Sequence, residues 1–223
     1  IVTAGGGIGM GGAVCKALAK AGAAVVVADI DGPRAEAVAH EIATAGGRAL
    51  PLAVDVMKAD QVERMVATAA RELGSVGILI NHAGAASGTP IEDMGEDEWD
   101  LVIKVHLKGH FCITSKLVQR WRDQVKASGQ KVDGRIVNTS SGAGLQGSIG
   151  QSNYAAAKGG IASLTLVQAA ELGRYGITAN ALAPAARTGM TEGPFGAQMK
   201  KPEDGSFDYY APENVAPLVV WLC

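Results

Sequence analysis

The chain has 223 residues, 48% apolar and 19% charged, with 30 glycines and a formal net charge of −2, a balance that excludes disordered, collagen-like and disulfide-scaffold chains. Only 4% is aromatic, so the core must be packed from Ala, Val, Ile and Leu. No Lys/Arg cluster offers phosphates concentrated charge, so nucleic acid is not an expected partner, and no apolar run approaches the ~20 residues of a membrane span, so no membrane association is expected. Cys15, Cys112 and Cys223, odd in number and far apart, fit neither a disulfide framework nor a zinc knuckle; a reducing, cytoplasmic setting is expected. The chain opens in strand-like Ile1-Val2 and stops in helix-like Val219-Val220-Trp221-Leu222-Cys223, and it reads as a piece lacking both ends.

In chain order, the first run leads into Thr3-Ala4-Gly5-Gly6-Gly7-Ile8-Gly9 and then a helical stretch, 13–21, stopped by Gly22. Such a strand, glycine turn and helix lets backbone N–H groups and a helix N-terminus face a pyrophosphate with no Cβ atoms in the way. The apolar run 24–29 closes on Asp29, twenty residues past Gly9. A carboxylate there accepts hydrogen bonds from an adenosine ribose and repels a 2′-phosphate, so NAD(H) is expected over NADP(H). Pro33 suits the first turn of a second helix ending at Gly46-Gly47. The run 49–54 delivers Asp55, in reach of an adenine amino group. Val62, Met65, Val66, Ala69 and Leu73 line one face of a third helix before Gly74, and the run 76–80 ends in Asn81-His82-Ala83-Gly84.

Trp99, Val102 and Ile103 repeat the helical spacing, and the run 135–138 precedes Ser141. Thirteen residues on comes Tyr154, with Lys158 four residues later on the same helix face. A tyrosine with a pKa of ~10 is a poor base at neutral pH, and an adjacent ammonium group together with a positive nicotinamide ring lowers it. Ser141 would hold the substrate oxygen, completing an acid/base centre for hydride transfer. The stretch 161–172 is the most apolar helix, 177–183 a sixth strand, and 189–210, with two prolines and four glycines, a flap at the strands' carboxyl ends. His106 and His110 have a metal-ligand spacing but no acidic residue between them and no evident third ligand, so no metal is expected. The strand runs are apolar throughout and alternate with helices. They predict an α/β chain of one Rossmann-fold domain over 1–223, a doubly wound parallel sheet with helices on both faces.

The order of these motifs resembles the classical short-chain dehydrogenase/reductase family over essentially the whole chain. Within it, Val105-His106-Leu107-Lys108-Gly109, Ala183-Pro184-Ala185-Ala186-Arg187-Thr188 with Met190-Thr191, and Pro212-Glu213-Asn214-Val215-Ala216-Pro217-Leu218 running into Trp221-Leu222-Cys223 are similar to the (3R)-hydroxyacyl-CoA dehydrogenase unit of peroxisomal multifunctional enzymes and actinobacterial relatives. The resemblance implies that Ser141, Tyr154 and Lys158 are catalytic, with His106 where the family has an asparagine that positions a water. It implies cofactor contacts from Gly5, Gly7, Ile8, Gly9, Asp29, Asp55, Val56, Asn81, Ala83, Gly84, Tyr154, Lys158, Pro184 and Thr188, the last at the nicotinamide carboxamide. It further implies transfer of the pro-S hydride to or from a 3-oxoacyl or 3-hydroxyacyl thioester, possible partners being acyl-CoA molecules. A dimer or tetramer built on the helices carrying 105–119 and 154–172 is implied as well. A steroid, polyol or other small carbonyl substrate is the alternative, and a cofactor-binding protein that has lost turnover a second. Two departures bear on this: Thr3 to Gly9 is one residue shorter than the family's first motif, and His82 stands where a second asparagine is usual.

Overall fold

The computed structural model describes residues 1–223 apart from 8, 86, 87, 190, 192–195 and 198. Its centre is one parallel sheet of six strands, β1 (Val2–Thr3), β2 (Ala24–Asp29), β3 (Arg48–Ala53), β4 (Ile78–Asn81), β5 (Gly134–Thr139) and β6 (Ile177–Leu182), in the order β3-β2-β1-β4-β5-β6. The helices are α1 (Met10–Lys20), α2 (Gly32–Thr44), α3 (Ala59–Leu73), α4 (Glu96–Ile103), α5 (Gly109–Ser128), α6 (Gly142–Gln146), α7 (Ser152–Leu172) and α8 (Ala216–Leu222). The doubly wound parallel sheet is the one that the alternating runs predict.

Successive residues of a strand point to opposite faces, and here both faces are covered. On one face Val26, Ala28, Leu79 and Ile136 pack with Val62, Met65, Ile113, Leu117 and Trp121. On the other Val25, Val27, Ile80 and Val137 pack with Val14, Leu18, Val38, Ile42 and Val219. That is why the strand runs carry no polar alternation, and each large aliphatic buried this way contributes about 1.5–3 kcal/mol. Asp31 caps α2, accepting the Arg34 N–H at 3.1 Å, and Pro33 sits in its first turn. A polar seam crosses this interior. Asn81 donates to Asn138 at 2.9 Å and to Thr114 at 3.0 Å, and Asn138 donates to Thr165 and Gln168, joining β4 and β5 to α5 and α7.

Two features aim the site. The chain order reverses between β1 and β4, with Val2 in register with both Val27 and Ile80, so a crevice opens beyond the carboxyl ends of these strands. Between α4 and α5, residues Lys104–Lys108 form a π-helical turn, a local widening of the helix often found at functional sites.

Candidate active site

β1 is two residues long, and what it positions is Thr3. The Thr3 hydroxyl accepts the backbone N–H of His82 at 2.9 Å and of Ala83 at 3.1 Å, tying β1 to the turn after β4. The chain then turns at once at Ala4, whose φ of +50 lies in the left-handed region, where a Cβ costs about 1 kcal/mol or more. Gly5 donates to the Ala28 carbonyl at 3.0 Å and Gly6 to Asp29 Oδ2 at 2.9 Å, stitching the short turn to the end of β2. A Cβ on Gly11 would lie 1.9 Å from the Ala4 carbonyl oxygen, and one on Gly12 2.1 Å from that of Gly7, so only glycine lets α1 lie this close to the turn. Among the described residues no side chain caps α1. Its first N–H groups beside Gly7 and Gly9 therefore suit an anion. Ile8, expected at the same cradle, lies outside the described residues, as do 190, 192–195 and 198 of the expected flap.

Further along this edge, Asp29 Oδ1 accepts the Asp31 N–H at 3.0 Å. With Gly6 on its other oxygen the carboxylate keeps lone pairs for further donors. Asp55 accepts the Met57 N–H at 2.9 Å and faces Lys58 at 3.9 Å. Val56 is buried with its side chain against Gly109 of α5, where a Cβ would approach it to 3.0 Å. Ala83 and Gly84 follow on the crevice floor, Gly84 against the His106 ring. Asn81 reaches the same edge, but its side chain is fully buried and turned inward onto Asn138 and Thr114.

Ser141, Tyr154 and Lys158 share a cavity of about 350 Å³ whose wall includes His82, His106, Pro184 and Thr188. Ser141 caps α6, accepting the Ala143 N–H at 3.2 Å, and shares a hydrogen bond with Tyr154 on the first turn of α7. One turn later Lys158 is buried, its Nζ 5.5 Å from the Tyr154 ring centroid and donating to the Thr139 carbonyl at 2.6 Å. α7 is fixed there by Ser140, whose hydroxyl donates to the Lys158 carbonyl at 2.8 Å.

The electrostatics differ from the expectation that Lys158 lowers the tyrosine. Burial raises the Tyr154 pKa, opposed by the Ser141 hydrogen bond, and burial brings the Lys158 ammonium down to about 7. The ammonium lies over the ring and donates to Thr139, so in this arrangement Tyr154 is a neutral phenol at pH 7. The π-turn carries His106 inward, edge-on to Tyr154 with centroids 5.2 Å apart. Its Nε2 lies 2.9 Å from the Ala85 nitrogen and 2.8 Å from the Ala85 oxygen, and one tautomer serves one of them. Nδ1 has no partner among the described residues. Burial and then the Lys158 charge bring His106 to about 4, and the same causes hold His82 at about 4.

The family model described as short chain dehydrogenase matches residues 1–198. The chain belongs to the short-chain dehydrogenase family. This short-chain dehydrogenase is 44% identical to hydroxyacyl-CoA dehydrogenase ChsB1 of Mycobacterium tuberculosis, over 99% of this chain and 71% of that protein. It is 34% identical to peroxisomal multifunctional enzyme type 2 of Mus musculus, over 100% of this chain and 29% of that one. A crystal structure of a short chain dehydrogenase from Mycobacterium avium superimposes with a TM-score of 0.87 at 47% identity, covering 99% of this chain and 74% of that one. Membership makes the chain an oxidoreductase acting on CH–OH groups and a user of a nicotinamide cofactor. The uncapped α1 N-terminus, the open space around Gly9 and the acceptors left on Asp29 fit such a cofactor.

Sequence reasoning missed several residues of this short-chain dehydrogenase. Thr3 ties β1 to the turn after β4, and the Thr139 carbonyl accepts a hydrogen bond from Lys158 while its hydroxyl meets His82 Nδ1 at 2.9 Å. Thr191 accepts the Thr188 N–H at 2.8 Å and returns its own proton to Ala186 or Thr188 carbonyls at 2.9 and 3.1 Å. Residue type alone carried no signal for Thr3 or Thr191. His82 did carry one, being a titratable side chain inside an otherwise small-residue turn. Among the described residues no helix is long and apolar enough to cross a membrane.

Proposed function

We propose that this short-chain dehydrogenase transfers a hydride between NAD(H) and a 3-hydroxyacyl or 3-oxoacyl thioester. The observation that carries the reading is the meeting of Ser141, Tyr154 and buried Lys158 in one cavity that Met10, the first residue of α1, also lines. Gly5, Gly7, Gly9, Asp29, Asp55, Val56, Ala83, Gly84, Pro184 and Thr188 would hold the cofactor, which supplies the hydride. Ser141 donates a hydrogen bond to the substrate oxygen and holds it at Tyr154. In the reducing direction the neutral Tyr154 phenol gives its proton to that oxygen. Lys158, whose ammonium burial brings down to about 7, compensates the phenolate as it forms. His106, neutral, keeps the ring packed and supports Ala85 at the cavity floor.

Asp29 supports NAD(H), because its carboxylate at the end of β2 would repel an added 2′-phosphate. The names of the relatives in Mycobacterium tuberculosis and Mus musculus support an acyl-CoA substrate. Exposed Phe111 on α5 and Leu166 and Val167 on α7 support pairing with further copies through these helices, as a dimer or tetramer. Turnover of acetoacetyl-CoA with NADH and with NADPH, in the wild type and in Tyr154→Phe, tests the reading. The expected result is NADH-preferring reduction that falls at least about a thousandfold in kcat in the variant with NADH affinity kept. Equal use of both cofactors, or a variant as active as the wild type, contradicts it.

A further inference from the structure

We propose that the ion pair between Arg187 and Asp208 is a clamp that seats Met199 in the wall of the catalytic cavity, with Met199 selecting an apolar chain beside the reacting carbonyl. Arg187 and Asp208 are then positioning residues, and the inference rests on the oxidoreductase reading of that cavity. Between β6 and the 3-10 turn Pro212–Val215 the described residues form no helix or strand, and side-chain bonds act together with backbone ones to place them. Arg187 lies between Ala186 and Thr188, both in the cavity wall. Its Nη1 donates to the Met199 carbonyl at 2.7 Å and to Asp208 Oδ1 at 3.3 Å, and its Nη2 donates to Asp208 Oδ2. The planar fork thus grips a carboxylate and a carbonyl together, which an ammonium cannot do in the same geometry.

The far side of the clamp is itself anchored. The Arg187 N–H donates to the Tyr210 carbonyl at 2.7 Å, Asp208 Oδ1 accepts the Tyr210 N–H at 3.2 Å, and Asn214 donates to the Asp208 carbonyl at 2.8 Å. Both partners of the pair are shielded, at 20% and 17% exposure, so water and salt weaken it less than a surface pair. Of residues 199–211, Met199 is the one in the cavity wall. A flexible, polarisable thioether suits an alkyl chain of variable shape.

Hydrogen exchange over 199–210, NADH dissociation constants and steady-state kinetics with acetoacetyl-CoA and a longer 3-oxoacyl-CoA test the clamp in Arg187→Met, Arg187→Lys, Asp208→Asn and Met199→Ala. Exchange over 199–210 is expected to quicken at least about tenfold in Arg187→Met and Asp208→Asn, and by less in Arg187→Lys. The kinetic loss is expected in KM, about tenfold, with kcat and NADH affinity changed less than about threefold. Met199→Ala is expected to reduce the preference between the two chain lengths while leaving exchange alone. Unchanged exchange in Arg187→Met and Asp208→Asn overturns the clamp, as does a loss confined to kcat and NADH affinity. A wild type that binds NADH but turns over neither thioester overturns Met199 as a chain selector and the acyl reading together, and exchange then still decides whether Arg187 and Asp208 hold the segment.

Discussion

Ala4 opens the glycine turn with a φ of +50, which puts a Cβ in the left-handed region. Glycine is indifferent to that conformation, while a β-branched side chain is excluded from it. Ala4→Gly is therefore expected to keep or slightly raise the denaturant midpoint, and Ala4→Val to lower stability by about 2 kcal/mol; a tolerated valine would show that the turn relaxes. Lys158 presents the opposite bargain. Its ammonium is brought to about 7 by burial, so near pH 7 and below the fold holds a charge it disfavours. Lys158→Met is expected to raise the melting temperature of the cofactor-free protein, by about 1–3 kcal/mol of stability, while abolishing turnover; a lower melting temperature would mean that its bond to Thr139 outweighs desolvation. Ser141, Tyr154 and Lys158 were legible in the sequence because chemistry fixes both their types and their spacing. The inward turn of Asn81 was not, since whether a strand-end side chain faces the crevice or α5 depends on which partners, here Asn138 and Thr114, wait on each side.

Catalytic geometry at the scale of elements rests on how closely α6 and α7 pack. A Cβ on Gly144 would come within 2.5 Å of the Gly159 nitrogen and the Lys158 carbonyl carbon, backbone that cannot move aside without shifting the helix carrying Tyr154. Gly144→Ala is expected to cost about 1–3 kcal/mol and to lower kcat more than NADH affinity; wild-type kcat in a folded variant would show that α7 is not held by this contact. The strands were readable because helices cover both faces and leave each run apolar, and the helix stops because Gly22, Gly46 and Gly74 take positive φ. The π-turn at Lys104–Lys108 was not readable: one extra residue in a helical turn leaves the apolar spacing on either side intact. The contacts made by Arg187 were hidden for another reason, since its partners lie 12 and 21 residues away in a stretch without periodicity.

Below neutral pH the molecule carries its response in histidines that burial holds neutral. His82 and His106 stand at about 4 against an ordinary 6.5, and His110 is well below that ordinary value through burial first and the Lys158 charge second. The unfolded chain binds these protons first, so the stability these rings contribute is full above pH 6.5 and is lost as pH falls toward 4, by roughly 3 kcal/mol for each of the first two rings. The lowered carboxyls Asp60, Asp204 and Asp208 act below their ordinary 3.8, outside that window. Urea midpoints are expected to fall between pH 6.5 and 4.5, with a shallower fall in His82→Gln; a flat profile would mean that the rings are protonated in the fold. The doubly wound parallel sheet followed from the alternation of strands and helices, but the state of this interior could not, because it depends on how deeply His106, His110 and Lys158 are buried together, with His82 half-buried beside them. Cofactor binding joins all three scales, and fluorescence titration with NADH and NADPH, followed by absorbance of the nicotinamide band on adding acetoacetyl-CoA, tests it most directly. Tighter binding of NADH, then its oxidation by the thioester, is the predicted result; no binding of either nucleotide would mean that the turn at Ala4 has closed the pyrophosphate site, and would contradict the proposed reaction.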